Sequence, residues 1–143
     1  MNKFRTFEYN HKLIIMKLQV NQTLDVQLYA KYKWNPTQLY VNKDEEYEFI
    51  ANGIWKDFLI KTDADGYTNP YMRLFDSMKR VKDQNWFSLI GALDQNSDQF
   101  FLIGQHRKIT FESEGTIYCF ANDVEGFYFN NFGSVTLHIK RIK

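Results

Sequence analysis

The chain has 143 residues, enough for one domain to bury a core without disulfides, and its single cysteine excludes a disulfide framework. Eighteen Lys and Arg against 17 Asp and Glu leave a net charge of +1, so no global field draws in nucleic acid or an anionic membrane. An aromatic share of 17% with only two prolines and seven glycines suits strands rather than a disordered chain.

Residues 2–12 mix charges and aromatics without a period. Leu13-Ile14-Ile15-Met16 follows, too short for a membrane span or a secretory segment, and Lys17 ends it. The expectation is a cytoplasmic protein with no membrane insertion. Residues 1–16 read as an N-terminal extension, with Met16 as an alternative start, and 17–143 as one β-sandwich domain. Leu24, Val26, Leu28 and Ala30 alternate with Asp25, Gln27 and Tyr29, as in a strand with one buried face. Further strands are expected near 46–52, 86–93, 99–103, 107–112 and 115–121. Turn residues separate them: Gly53, the 94–98 run, Gly104 and Glu114-Gly115. Val135, Leu137 and Ile139 alternate with polar residues in a last strand. Short strands at this spacing predict an all-β fold, a two-sheet sandwich. One segment departs from it. Asn69-Pro70 is a capped helix start, and Tyr71, Leu74, Phe75 and Met78 recur at helical spacing, so a short helix near 70–79 is expected to pack its apolar stripe on the sandwich.

The segment with the most chemistry runs from Asn122 to Asn131, between two predicted strands. It holds Asp123, Asn130 and Asn131 within ten residues, with Gly126 letting the chain fold back. Calcium takes six to eight oxygens from carboxylates, amide and backbone carbonyls and water. An oxygen-only donor set of low charge suits it better than zinc or copper.

The run Asn122-Asp123-Val124-x-Gly126-x-Tyr128-x-Asn130-Asn131-x-Gly133-Ser134, followed by the alternating last strand, resembles the C-terminal signature of the LecA-type calcium-dependent galactophilic bacterial lectins. Tyr47 to Trp55 resembles that family's strand into an Ala-Gly-Trp turn, and Gly91-Ala92-Leu93 a central Gly-Ala-Leu strand. The resemblance spans about 24–143 and is specific over 122–134. It implies a jelly-roll-like β-sandwich, galactose-binding-like, with a Ca2+ ion bridging protein and sugar hydroxyls. It assigns metal ligation to the side chains of Asp123, Asn130 and Asn131 and to the Phe127 carbonyl, with another carbonyl from Asp57 or Phe58. The family's sugar-contacting His and Gln have no counterpart here, and Glu125 stands at its proline, so plain galactose is not the expected ligand.

Asp63-Ala64-Asp65-Gly66 begins like a calcium loop, but Leu74 occupies the twelfth position where an EF-hand needs Glu. It reads either as an exposed turn or as a loop over the metal site, where Asp63 and Asp65 would contact ligand; Val124 and residues 57–67 would form the rim. His11, His106 and His138 are scattered, and no residue order suggests a catalytic triad or acid–base pair. Cys119 lies in an apolar run and reads as a small buried hydrophobe. Trp34, Trp55 and Trp86 either pack in the core or stack on sugars. Two functions remain open: a lectin-like module binding a carbohydrate or other polyhydroxylated ligand, as a homo-oligomer for avidity, or a non-enzymatic protein-interaction module without sugar binding. No enzyme is expected.

Overall fold

The computed structural model describes residues 15–143. It is an all-β, jelly-roll-like sandwich of two antiparallel sheets. Its strands are β1 (Thr23–Tyr29), β2 (Asn35–Val41), β3 (Glu46–Asn52), β4 (Trp55–Asp57), β5 (Ile60–Thr62), β6 (Leu89–Leu93), β7 (Phe100–Leu102), β8 (His106–Thr110), β9 (Gly115–Ala121) and β10 (Asn131–Arg141). One sheet runs β2-β9-β6-β7. The other is organised around β10, which pairs with β1 on one side. On its other side, β10 pairs first with β4 through Asn131↔Asp57 to Gly133↔Trp55, then with β3 through Thr136↔Asn52 to Arg141↔Tyr47.

The alternation that predicts the strands also fills the core. Leu28, Tyr47, Phe49, Ala51, Val135, Leu137 and Ile139 come from the β10 sheet; Leu39, Leu89, Leu93, Ile117, Cys119 and Ala121 come from the other. Each large side chain among them contributes roughly 1.5–3 kcal/mol by leaving water. A one-residue slip would turn these sets outward, so burial fixes the register. Cys119 is buried, and desolvation holds its thiol far above the usual range.

Three strands escape the sequence reading. β2 carries Asn35 and Thr37 at inward positions and a register shift between Pro36 and Tyr40, where Gln38 has φ 62°. β4 and β5 have three residues each, too few for a period. The strand expected from residue 86 starts at Leu89, since Phe87 sits at φ 62° and turns the chain.

The expected helix begins as predicted, with the Asn69 carboxamide oxygen accepting from the Tyr71 N–H at 3.0 Å, but Pro70–Met78 is a 3-10 helix. Its stripe does not pack on the sandwich. None of its residues is buried, and Tyr71 and Leu74 are 94% and 89% exposed. Instead Met72, Phe75 and Met78 face a cavity, and Tyr71 and Leu74 project away from it. Met16 is tied to β2 by its N–H to the Gln38 carbonyl at 2.7 Å, while residues 1–14 of the expected extension, and His11, lie outside the described residues. No helix among the described residues is long and apolar enough to cross a membrane.

Candidate functional site

β9 delivers Asn122 and Asp123 to the end of the sandwich where β10 meets β4. Asn122 is fully buried and uses its whole carboxamide. Its Nδ2 donates to the carbonyls of Val81, Gln84 and Asn85 at 2.8–3.3 Å, and its Oδ1 accepts from the Val81 N–H at 3.0 Å. This pins the crossing segment 80–85 and fixes the direction in which the chain leaves β9.

Asp123 follows, 4% exposed. Its Oδ1 accepts from the Val124 N–H at 2.7 Å and its Oδ2 from Asn131 Nδ2 at 3.0 Å. Among the described residues no basic group pairs with this carboxylate. Burial pushes its pKa up to about 6, against the ordinary 3.8, and the nearby charge of Asp57 adds to the rise. At neutral pH the site therefore carries a poorly solvated negative charge.

The loop then turns at Gly126, whose φ of +94° is costly for any side chain. Tyr128 anchors the return: its hydroxyl donates to the Ala121 carbonyl at 2.7 Å and accepts from Arg80 Nη1 at 2.9 Å. A 3-10 turn over Tyr128–Asn130 brings the two asparagines under the β4–β5 hairpin, where the Phe58 N–H donates to the Asn130 carbonyl at 2.9 Å. Asn131 donates through Nδ2 to the Ala30 carbonyl at 3.2 Å as well as to Asp123. The Oδ1 atoms of Asn130 and Asn131 are buried and accept no hydrogen bond.

Two unpartnered buried amide oxygens cost about 1–3 kcal/mol each. Beside them stand the Asp123 carboxylate and, in the same cavity, Asp57. The donor set is oxygen throughout, which fits a hard cation such as calcium. Among the described residues no group of three His, Cys, Asp or Glu is placed to hold a metal, and the cavity lining contains no His or Cys.

The cavity above these groups measures about 250 Å³. One wall is Asp57, Asp123, Val124, Phe127 and Asn130; the other is Met72, Phe75 and Met78 of the 3-10 helix, with Trp86 between. The Tyr67 hydroxyl donates to Asp57, and burial with that contact holds the phenol well above its usual range. The structure thus gathers Asp57, Asp123, Val124, Phe127 and Asn130, with Asn131 directly behind Asp123 and Phe58 joined by its backbone. Asp63 and Asp65 are outside this set. The Asp65 N–H donates to Asp63 Oδ1 at 2.9 Å, and Asp65 Oδ1 accepts from the Gln105 N–H at 2.8 Å, so Asp63 closes its own turn and Asp65 ties that turn to the distant Gly104-Gln105 turn. Met72, Phe75, Met78 and Trp86 also line the cavity; the sequence analysis places Phe75 and Met78 in a stripe packed on the sandwich and does not single out Met72, because an apolar stripe carries no mark of whether a sheet or a ligand will cover it.

The remaining single-residue readings also resolve. Trp55 and Trp86 are buried, and the Arg80 guanidinium lies 4.4 Å over the Trp34 ring, so no tryptophan offers an open stacking platform. His106 pairs with Glu48 and His138 with Asp25 across paired strands of the β10 sheet, and neither lines the cavity.

No family model matches the chain, and no curated protein matches it. Solved structures do. One of them, described as "EclA N-terminal domain; PllA-like lectin", superposes with a TM-score of 0.62 over 82% of this chain and 94% of its own, at 18% sequence identity. At that identity the likeness is one of fold: the two chains share a β-sandwich.

Proposed function

We propose that this chain is a calcium-dependent carbohydrate-binding module whose site is the cavity between the 122–131 loop and the 3-10 helix. The observation that carries the reading is the pair of buried, unpartnered amide oxygens of Asn130 and Asn131 beside the uncompensated Asp123 carboxylate. Such groups are stabilised by a cation and destabilised without one. Asp123, Asn130 and Asn131 would hold Ca2+, with the Phe127 carbonyl and the backbone of Asp57 or Phe58 completing the set. The ion supplies a hard acceptor for two vicinal hydroxyls of the ligand.

The protein's own groups do the rest. Asp123 and Asn130 orient the hydroxyls, while Met72, Phe75 and Met78 receive an apolar C–H face. No His or Gln lines the cavity, which favours a sugar other than plain galactose. The module is read as non-enzymatic by analogy with the lectin domain whose fold it shares. The lectin fold of the solved neighbour supports the carbohydrate reading by analogy of architecture.

Thermal melts and titration calorimetry test it. Calcium should raise the melting temperature, by mass action worth about 2.7 kcal/mol at a hundredfold excess over Kd. Zinc should not, and Asp123→Ala should remove the calcium shift. A glycan panel should give weak binding that a chelator abolishes. Equal melting with and without calcium would refute the metal, and silence across the panel would favour the protein-interaction reading.

A further inference from the structure

The β4–β5 hairpin breaks three local rules in six residues. Its two-residue tip is Phe58-Leu59, where Gly, Asn or Asp belongs, and Phe58 is held at φ 54°, a region that bulky side chains avoid. Leu59 is 78% exposed. Below the tip, Lys56 and Lys61 stand directly opposite one another, a like-charge pair that weakens a hairpin, and neither has an ion-pair partner among the described residues. Local choices that oppose folding mark function more often than accident.

The hairpin is not alone. Phe132 is the β10 partner of Lys56, and Phe127 and Phe129 lie on the adjoining turn with ring centroids 6.1 Å apart. All three are at least half exposed, Phe129 at 77%. Phe75 and Met78 of the 3-10 helix, equally exposed, close the far side of the cavity. Phe127, Phe75 and Met78 line the cavity, and the Phe58 N–H bond to the Asn130 carbonyl sets the hairpin tip beside the turn that carries Phe129, with unpaired lysines behind the tip. Monomeric soluble proteins rarely leave so many large apolar groups together.

We propose that this end of the sandwich docks on an anionic lipid bilayer, with Phe58, Leu59 and Phe129 entering the headgroup boundary and Lys56 and Lys61 contacting phosphate. A tip of apolar side chains with lysines two residues behind it on each strand matches the depth profile of a membrane interface, where stems lie in the apolar zone and ammonium groups reach the charged surface. A second copy seated on the same patch would bring two such lysine pairs together, so charge favours the bilayer over self-association. No spanning segment is required, and the balanced net charge of the whole chain is no obstacle, because attraction is set within a Debye length of the surface. None of the five docking groups lines the ligand cavity, and the contact does not depend on calcium or sugar.

Vesicle co-sedimentation tests this separately from the proposed function. The full chain, in chelator and without glycan, should bind vesicles of phosphatidylcholine with about one third phosphatidylglycerol, more tightly than phosphatidylcholine alone. Leu59→Ser/Phe129→Ser should weaken binding by on the order of tenfold or more, since two exposed apolar side chains lose their burial. Lys56→Gln and Lys61→Gln should each cost roughly fivefold and flatten the salt dependence. The exposed double variant should melt as the wild type does and keep its calcium shift. Absence of vesicle binding, or binding unchanged by these substitutions, overturns the proposal. So does a dimer in sedimentation analysis that Leu59→Ser/Phe129→Ser dissociates while vesicle binding stays absent, an outcome that assigns the patch to a second copy.

Discussion

Asn122 and Asn131 sit nine residues apart at opposite ends of one loop, both almost fully buried, and they behave in opposite ways. Asn122 spends its whole carboxamide on the backbone of Val81, Gln84 and Asn85. Asn131 donates twice through Nδ2 and leaves its Oδ1 buried and unused, with the neighbouring Asn130 Oδ1 in the same condition. A buried side chain with every atom paired is a structural peg. One with an orphaned acceptor beside a hydrogen-bonded carboxylate that lacks a counter-charge is suited to a ligand of the other sign. Burial alone does not separate the two; the hydrogen-bond accounting does.

The largest effect should come from breaking the peg. Asn122→Ala strips four hydrogen bonds and frees the 80–85 segment, and should cost about 2–4 kcal/mol in denaturant unfolding. If calcium still stabilises the weakened protein, the peg and the ligand set are separate. Next, Asp123→Asn removes the buried charge and should make the chelated protein about 1–3 kcal/mol more stable at pH 7 while losing the calcium shift. A substitution that stabilises the free protein and abolishes its ligand is the signature of a binding group.

The same carboxyl gives a pH test with a definite sign. Its folded value, about 6, lies above the ordinary 3.8, so the native state holds this proton more tightly. Its contribution is present in full below about pH 4 and is lost as pH rises through 6. In chelator, the stability of wild type relative to Asp123→Asn should therefore fall between pH 4 and 7, by at most about 3 kcal/mol. A flat difference would mean that the carboxylate is solvated after all. The smallest net effect on stability should come from Asn130→Ala, where relief of a buried unpartnered oxygen, about 1–3 kcal/mol, is offset by the packing lost on truncation, yet calcium affinity should drop by roughly tenfold or more. Equal calcium affinity would remove Asn130 from the ligand set.

The fold was readable wherever one face of a strand is buried. β3 and β9 occupy the predicted residues, and β1 and β10 follow the predicted alternation, because water exclusion writes a period of two into their sequences. β2 was hidden by its polar inward residues and its bulge. β4 and β5 were hidden by length: three residues cannot show a period. At the site, Asp123, Asn130 and Asn131 stand together because they are close in sequence and one turn folds them back. Asp57 reaches them only through the pairing of β4 with β10, a contact across 74 residues that no local pattern encodes. The apolar wall was misread for a physical reason. Tyr71, Leu74, Phe75 and Met78 have the spacing of a buried face, and only the three-dimensional arrangement shows that nothing in the described chain covers it.

β10 is the axis of its sheet, flanked by β1, β3 and β4, yet it is made after all of them. During synthesis those three strands emerge with no central partner, and Thr23 must wait for Lys140, its neighbour in the finished sheet, across 117 residues. Chain closure over that separation makes assembly slow, and the apolar faces of β1 and β3 stay open to water in the interval. Until residues 131–141 are available, β1, β3 and β4 have no common neighbour, so the last strand to be made is the one that joins the sheet.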